Sequence, residues 1–316
     1  MKIIFAGTPD FAAKHLEIVL KSKHEVLSVL TQPDRKSGRG KKINFSPVKQ
    51  TALDNDISVY QPESLRIEKV FSNLKNIAPD LILVVAYGLL VPKNILELPK
   101  HGCVNIHASL LPRWRGASPM EHAIMSGDKD IGISYMEMSE GLDEGPVYEM
   151  HQCSLEEYDT LHAVEEKFIQ LSEKYLVSFL DNLESGSIKH KAQDENKATF
   201  SPKIDKKFLQ IDWQGNTSIE IIRKINALGS KYGTHSFLGE RRVKIHKARS
   251  IELEINHDPG YISVKDDQLI VYCKDASSIL IEQLQMEGKN KVSGKDFIAG
   301  YLDLIKENGN FELTIQ

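Results

Sequence analysis

Asn105 and His107 stand two positions apart in Gly102-Cys103-Val104-Asn105-Ile106-His107, at the end of a short apolar run opened by a glycine. Cys103, Val104 and Ile106 predict a buried strand. Residues i and i+2 of a strand share a face. An amide and an imidazole are therefore expected side by side at the strand's C-terminal end, where open α/β sheets bind ligands. The chain continues as Ala108-Ser109-Leu110-Leu111-Pro112-Arg113-Trp114-Arg115-Gly116-Ala117-Ser118-Pro119, a loop by its prolines and glycine. An imidazole that moves a proton, beside an amide that donates to a developing oxyanion, suits acyl-type transfer. A carboxylate would complete the set by fixing the ring's orientation. Asp143 is the candidate, in the turn Ser139-Glu140-Gly141-Leu142-Asp143-Glu144-Gly145-Pro146, where glycines flank an acidic pair. Taken singly, each of the three also reads as a structural group, a satisfied strand end or a solvent-facing turn acid.

The surrounding elements decide whether such a set can assemble. Lys2–Ala6 predicts a strand, and Gly7-Thr8-Pro9-Asp10 a helix start with Thr8 as cap, Pro9 at the first position and Asp10 complementing the dipole. A second strand, Glu25–Thr31, follows. This βαβ opening predicts an α/β fold with a doubly wound, mostly parallel, Rossmann-like sheet. The first turn is no G-x-G-x-x-G, and Asp10 occupies the helix N-terminus a pyrophosphate would need, which argues against dinucleotide binding there. Asp80–Ala86 is near-continuously apolar, as a central parallel strand is. It ends at Tyr87-Gly88, either a plain turn or a bare stretch of backbone open to a flat ligand. Thr160–Asp181 has helical spacing, and Glu184–Ala198 is polar without a period. Further on, a helix over Thr217–Leu228 precedes five short strand-like segments, Thr234–Leu238, Val243–Ala248, Gly260–Val264, Leu269–Tyr272 and Ile279–Leu284, then a helix over Ser293–Leu304. That order predicts a small barrel. The domains expected are residues 1–189, a linker over 190–206, and 207–316.

The chain has 316 residues with a 41% hydrophobic share, enough for a real core, and no eighteen-residue apolar run that would span a membrane. Three scattered cysteines lack metal-ligand spacing and fit a reduced, cytoplasmic setting. A net charge of −4 excludes a general polycation. Charge is local instead. Between Asp34 and Lys49, six basic residues (Arg35, Lys36, Arg39, Lys41, Lys42, Lys49) oppose Asp34 alone. Such an arm is either a solvated loop or a contact to a phosphate backbone. From Lys197 to Ser250, twelve basic residues, among them Lys203, Lys206 and Lys207, oppose four acidic ones.

The segments FAGTPDFAA (5–13), TQPDRKSGRGKK (31–42), SPVK (46–49), VVAYGLLVPK (84–93), NIHASLLPRWRGASP (105–119) and GLDEGPVY (141–148) resemble the methionyl-tRNA formyltransferase family. The likeness continues, more loosely, from TFSPKIDKKFLQIDW (199–213) to the end. The S-L-L-P-x-x-R-G-x-x-P element is that of folate-dependent formyltransferases generally; the basic arm and the C-terminal part narrow it. Two departures are Ala108, where relatives often have Gly, and 226–232 (NALGSKY), where they carry a Pro- and Trp-containing turn. The resemblance implies transfer of a formyl group from 10-formyltetrahydrofolate to the α-amine of methionyl initiator tRNA, by attack of the free amine through a tetrahedral oxyanion. It implies Asn105, His107 and Asp143 as catalytic residues. Folate is implied at Tyr87, Gly88, Leu89 and Leu90, and at Ser109, Leu110, Leu111 and Pro112. Contacts to tRNA are implied for Arg35, Lys36, Arg39, Lys41, Lys42, Lys203, Lys206 and Lys207. It also implies an oligonucleotide-binding (OB)-like C-terminal barrel, no metal, no membrane, and a monomer. Two rivals remain at this point. One is a formyltransferase for a small amine, such as glycinamide ribonucleotide or an amino sugar, for which the basic arm is surplus. The other is an RNA-binding protein without catalysis, which leaves the trio unexplained.

Overall fold

The computed structural model describes residues 1–37, 42–252, 257–274 and 276–312; for Lys36, Ser37, Lys42 and Ile43 it describes the backbone alone. The chain divides into two compact units. The first holds Met1–Pro119, Asp130–Cys153 and Glu165–Ser201; the second holds Met120–Lys129, Ser154–Val164 and Pro202–Gln316.

The first unit begins with β1 (Lys2–Gly7), α1 (Asp10–Leu20), β2 (Glu25–Leu30), the short β3 (Arg35–Ser37) and β4 (Lys42–Asn44), α2 (Pro47–Asp54) and β5 (Ser58–Tyr60). Next come α3 (Glu68–Ile77), β6 (Leu81–Val85), α4 (Lys93–Leu96), β7 (Cys103–His107) and β8 (Arg115–Gly116). The chain continues through α5 (Pro119–Ser126), β9 (Asp130–Glu137), β10 (Val147–Ser154), α6 (Leu161–Ser185) and β11 (Phe200–Ser201). Seven strands form one sheet in the order β10-β9-β7-β6-β1-β2-β5. The pairs β1–β2, β1–β6, β2–β5 and β6–β7 are parallel, and β7–β9 is antiparallel. All five residues of β6 are buried, as a strand covered on both faces requires. The sheet is thus the mostly parallel, doubly wound one that the sequence predicts. Its order reverses between β1 and β6, and that is where such sheets open a crevice.

One local expectation is corrected. Thr8 does not cap α1: Pro9 occupies the N-cap position without a side-chain cap bond, and the Thr8 hydroxyl instead donates to the Tyr87 carbonyl at 3.0 Å. The hydroxyl is drawn across the crevice because the carbonyl at the end of β6 offers an acceptor there. The basic arm, read as irregular, contains a two-stranded antiparallel hairpin with Arg35 opposite Asn44 and Ser37 opposite Lys42. Arg39 and Lys41 lie outside the described residues.

The second unit is built on α7 (Ser218–Leu228), β12 (His235–Leu238), β13 (Arg241–Ile251), β14 (Ile262–Lys265), β15 (Gln268–Tyr272), β16 (Ser278–Met286), β17 (Val292–Ser293) and α8 (Gly294–Asn308). Thr217 and Glu220 form a reciprocal capping box that starts α7. The strands make an antiparallel sheet in the order β12-β13-β16-β15-β14, with β17 on β16. After α8 the chain bridges both edges: Glu312 exchanges hydrogen bonds with Phe237 of β12, and Asn310 bridges Tyr261 beside β14. The curled sheet wraps a core that includes Trp213, Ile225, Val271 and Phe297, each 1% exposed or less.

Candidate active site

Strand β7 sets the frame. Asn105 and His107 alternate with Val104 and Ile106, which are buried among the sheet's apolar residues, so the polar pair shares the opposite face. Parallel pairing of Val84 with Asn105 brings the ends of β6 and β7 together. The segments after them, Tyr87–Leu90 and Ser109–Pro112, therefore leave neighbouring strand ends.

The loop after β7 is tied down from within. Ser109 donates its hydroxyl to the Arg113 carbonyl at 2.6 Å. Ser134 of β9 donates to the Ser109 carbonyl at 2.6 Å and accepts from the Leu111 amide at 3.1 Å. Trp114 has a φ of +63°, a left-handed conformation uncommon for a bulky residue. This backbone turns its carbonyl onto the His107 ring, where Nε2 lies 2.9 Å away. A carbonyl only accepts, so Nε2 carries a proton and Nδ1 is left as the position that exchanges one. The imidazole is 5% exposed.

The turn after β9 folds back over this face. Asp143, at φ +50°, brings Oδ2 to 3.7 Å from His107 Nδ1, while Asn105 Nδ2 donates to Oδ1 at 3.4 Å. The Gly116 amide donates to Oδ2 at 2.9 Å. Amide, imidazole and carboxylate thus converge, and both carboxylate oxygens are occupied.

The residues that hold this arrangement were missed by the sequence reading, because they lie in the polar stretch taken for connecting chain. Gln193 donates to the carbonyls of Asp143 and Gly145, at 2.9 and 2.7 Å. Its Oε1 accepts from Arg115 Nε at 3.0 Å, and the Arg115 guanidinium forks onto both oxygens of Glu195 at 2.9 and 2.7 Å. That fork raises the Arg115 pKa further and holds the Glu195 carboxyl below the usual carboxylate range. Thr199 accepts from the Trp114 amide at 2.9 Å, and Ser201 donates to the Trp114 carbonyl at 3.1 Å. β11 pairs with β8 so closely that a Cβ at Gly116 would stand 2.7 Å from the Ser201 carbonyl. Only the looser likeness beginning at Thr199 hinted at these partners.

The remaining candidates fall as follows. Tyr87 is 2% exposed, and its hydroxyl has no hydrogen-bond partner among the described residues; burial pushes its pKa up. Gly88 has a φ of +82°, and Leu90 is 74% exposed, a large apolar surface beside bare backbone. Leu110 and Pro112 are partly exposed and Leu111 is buried. Arg35, Lys203, Lys206 and Lys207 are exposed. Cys103, between Gly102 and the polar pair, is no nucleophile: burial pushes its thiol up to about 12. Among the described residues one His–carboxylate group is tight enough to hold a metal ion, His24, Asp181 and Glu184. Its carboxylates already meet the Met1 ammonium at 2.9 Å and Lys23 at 3.0 Å.

Residues 1–180 match the family described as formyl transferase, and residues 203–302 match the formyl transferase C-terminal domain. A methionyl-tRNA formyltransferase from Legionella pneumophila (strain Paris) is 37% identical over 298 residues, which is 94% of this chain and 95% of that protein. Among solved structures, WlaRD, a sugar 3N-formyl transferase studied with dTDP and 5-N-formyl-THF, superimposes with a TM-score of 0.68 at 19% identity, covering 92% of this chain and 99% of the other. A methionyl-tRNA formyltransferase from Clostridium thermocellum gives a TM-score of 0.57 at 19% identity, over 79% and 93% of the two chains. At such identities the structures speak for the fold, whereas the family match and the Legionella relative speak for descent: the chain belongs to the methionyl-tRNA formyltransferase family of transferase enzymes.

Proposed function

We propose that the site transfers the formyl group of 10-formyltetrahydrofolate to the α-amine of methionine carried on initiator tRNA. The observation that carries the chemistry is the convergence of Asn105, His107 and Asp143 around a ring whose Nε2 is already engaged. An α-amine has a pKa of roughly 7.7–8.0, so a base of modest strength frees it. The amine nitrogen attacks the formyl carbon, and a tetrahedral centre with an oxyanion forms. Asn105 has a second N–H hydrogen with which to meet that oxyanion. The proton lost from the amine passes to His107 Nδ1, and Asp143 stabilises the resulting imidazolium. The carbon–N10 bond then breaks, N10 takes the proton, and tetrahydrofolate leaves. No step needs a metal ligand from this chain.

The folate fits the loops at the ends of β6 and β7. The exposed Leu90 and the backbone at Gly88 suit a flat heterocycle, and the buried Tyr87 hydroxyl beside them has no hydrogen-bond partner among the described residues. The charged RNA fits the basic hairpin and the exposed Lys203, Lys206 and Lys207, which neutralise phosphates without reading sequence. A donor-dependent formylation assay on charged initiator tRNA tests the reading. Formyl-methionyl-tRNA should accumulate with the parent enzyme and not with His107→Ala. Preference for a small amine, or turnover by the His107 variant, would refute it. Replacing Arg39 by Ala should weaken tRNA use more than folate binding; equal loss of folate affinity in a titration would contradict that division.

A further inference from the structure

A neutral His107 carries one ring proton, and two acceptors compete for it. The Trp114 carbonyl lies 2.9 Å from Nε2, and Asp143 Oδ2 lies 3.7 Å from Nδ1. With the proton on Nε2, the ring bonds the carbonyl and keeps the Nδ1 lone pair free. With the proton on Nδ1, the Nε2 lone pair would face the carbonyl oxygen, lone pair against lone pair. As the ring stands, Asp143 is too distant for a full hydrogen bond. The Trp114 carbonyl therefore decides the tautomer, for as long as it keeps its place.

That carbonyl belongs to a residue at φ +63°, where bulky side chains are rarely found. What keeps it there comes from far along the chain. The Trp114 amide donates to Thr199 Oγ1 at 2.9 Å. Thr199 also grips the neighbouring peptides: its amide donates to the Pro112 carbonyl at 3.2 Å, and its carbonyl accepts from the Arg115 amide at 2.8 Å. Ser201 Oγ lies 3.1 Å from the Trp114 carbonyl and 3.2 Å from that of Arg115, and its hydrogen is shared between them. The backbone bonds fix the course of the loop, whereas the Thr199 hydroxyl acts on Trp114 itself. Without that hydroxyl the residue can rotate toward the common right-handed region, which carries the carbonyl off the ring.

We infer that Thr199 is a positioning residue: by holding Trp114 in this conformation it keeps the ring proton of His107 on Nε2 and leaves Nδ1 to receive the proton of the attacking amine. The inference rests on the proposed formyl transfer, in which Nδ1 is the base. The Thr199 hydroxyl acts on the ring through one intervening residue. A ring released from the carbonyl can turn toward Asp143, whose carboxylate draws the proton to Nδ1. In that form Nδ1 has no lone pair to offer. The amine nitrogen then keeps its proton, and the tetrahedral centre falls back to formyl donor and amine.

The experiment records long-range ¹H–¹⁵N correlations of the histidine rings in the full-length protein, well above the pH at which histidine titrates, with His107 assigned by its loss in His107→Ala. The parent should show the Nε2–H form. Thr199→Val keeps the side chain's shape and removes the acceptor; in it the Nδ1–H form should appear. Its kcat should fall about tenfold or more, toward the roughly 10⁴ that a wrong tautomer costs a Ser-His-Asp enzyme, with KM for each substrate little changed. Thr199→Ser, which keeps the hydroxyl, should restore both tautomer and turnover. Should the valine variant fail to fold, Thr199→Ala makes the same test. An Nδ1–H parent, or a folded variant that lowers Tm with the tautomer unmoved, would overturn the inference. So would a tautomer that shifts while kcat does not. A parent enzyme that formylates no initiator tRNA would bring down the functional reading; the ring measurement needs no substrate and would still decide what Thr199 does to His107.

Discussion

At the scale of single residues, the proposed mechanism gives each member of the trio its own role, and removal of any one should be costly. Asn105→Ala removes a donor from the developing oxyanion, and such losses cost about 10²–10³ in turnover. His107→Ala and Asp143→Ala should lose as much, with RNA binding kept; a filter-binding assay beside single-turnover kinetics checks both halves. A second residue-scale prediction concerns acid. His15 is fully buried, with Nδ1 2.7 Å from the Phe11 carbonyl and Nε2 2.8 Å from the Ser172 hydroxyl. Burial lowers its pKa from 6.5 to about 4. Between those two values the unfolded chain binds more protons than the folded one, so stability falls as pH drops through the window. For this group the loss is about 3 kcal/mol. His15→Gln should flatten the decline of Tm from pH 6.5 to pH 4; an unaltered slope would exclude His15 as its source. The sequence gives no sign of this, because a buried histidine and a surface one look alike until burial is known.

At the scale of elements, strand and helix patterning was legible and the polar stretch was not. β6 and β7 announce themselves by apolar runs, and the i, i+2 placement of Asn105 and His107 follows from the strand alone. Residues 187–201 have no period, because they form only one 3-10 turn (Glu195–Lys197), a single backbone bridge from Lys191 to Val147 of β10 and the two-residue β11; the rest is held largely by side-chain bonds to Asp143, Arg115, Trp114 and Gly145. Polarity alone made them look like a linker. Gln193→Ala is the test of their role. It strips two hydrogen bonds from the Asp143 turn, which should lower stability by about 1–3 kcal/mol and reduce kcat more than either KM. A change confined to KM would place Gln193 outside the positioning of the carboxylate. Gly116→Ala should do similar harm by another route, since its Cβ would force β8 from β11. Thermal melting with steady-state kinetics reads both variants.

At the scale of the molecule, α5 shows what the sequence could not give. It follows the loop after β7 in the chain, yet all but its first residue belongs to the second unit. Glu121 is 3% exposed and accepts from Tyr232 at 2.8 Å and Lys231 at 3.2 Å. Lys231 and Tyr232, just after α7, thus supply the partners of a buried carboxylate. Long-range pairing of this kind leaves no local signature. Ending the chain after residue 202 should therefore destabilise what remains, seen as a lower Tm, because a buried carboxylate without partners is costly. Tyr232→Phe should show a smaller part of the same effect. No helix among the described residues is long and apolar enough to cross a membrane. The chain passes between its two units five times, after Pro119, Lys129, Cys153, Val164 and Ser201. Recombination between relatives is constrained accordingly. A chimaera spliced at one point near residue 202 would set Glu121 against foreign neighbours, so a viable graft must carry Glu121, Lys231 and Tyr232 as a matched set.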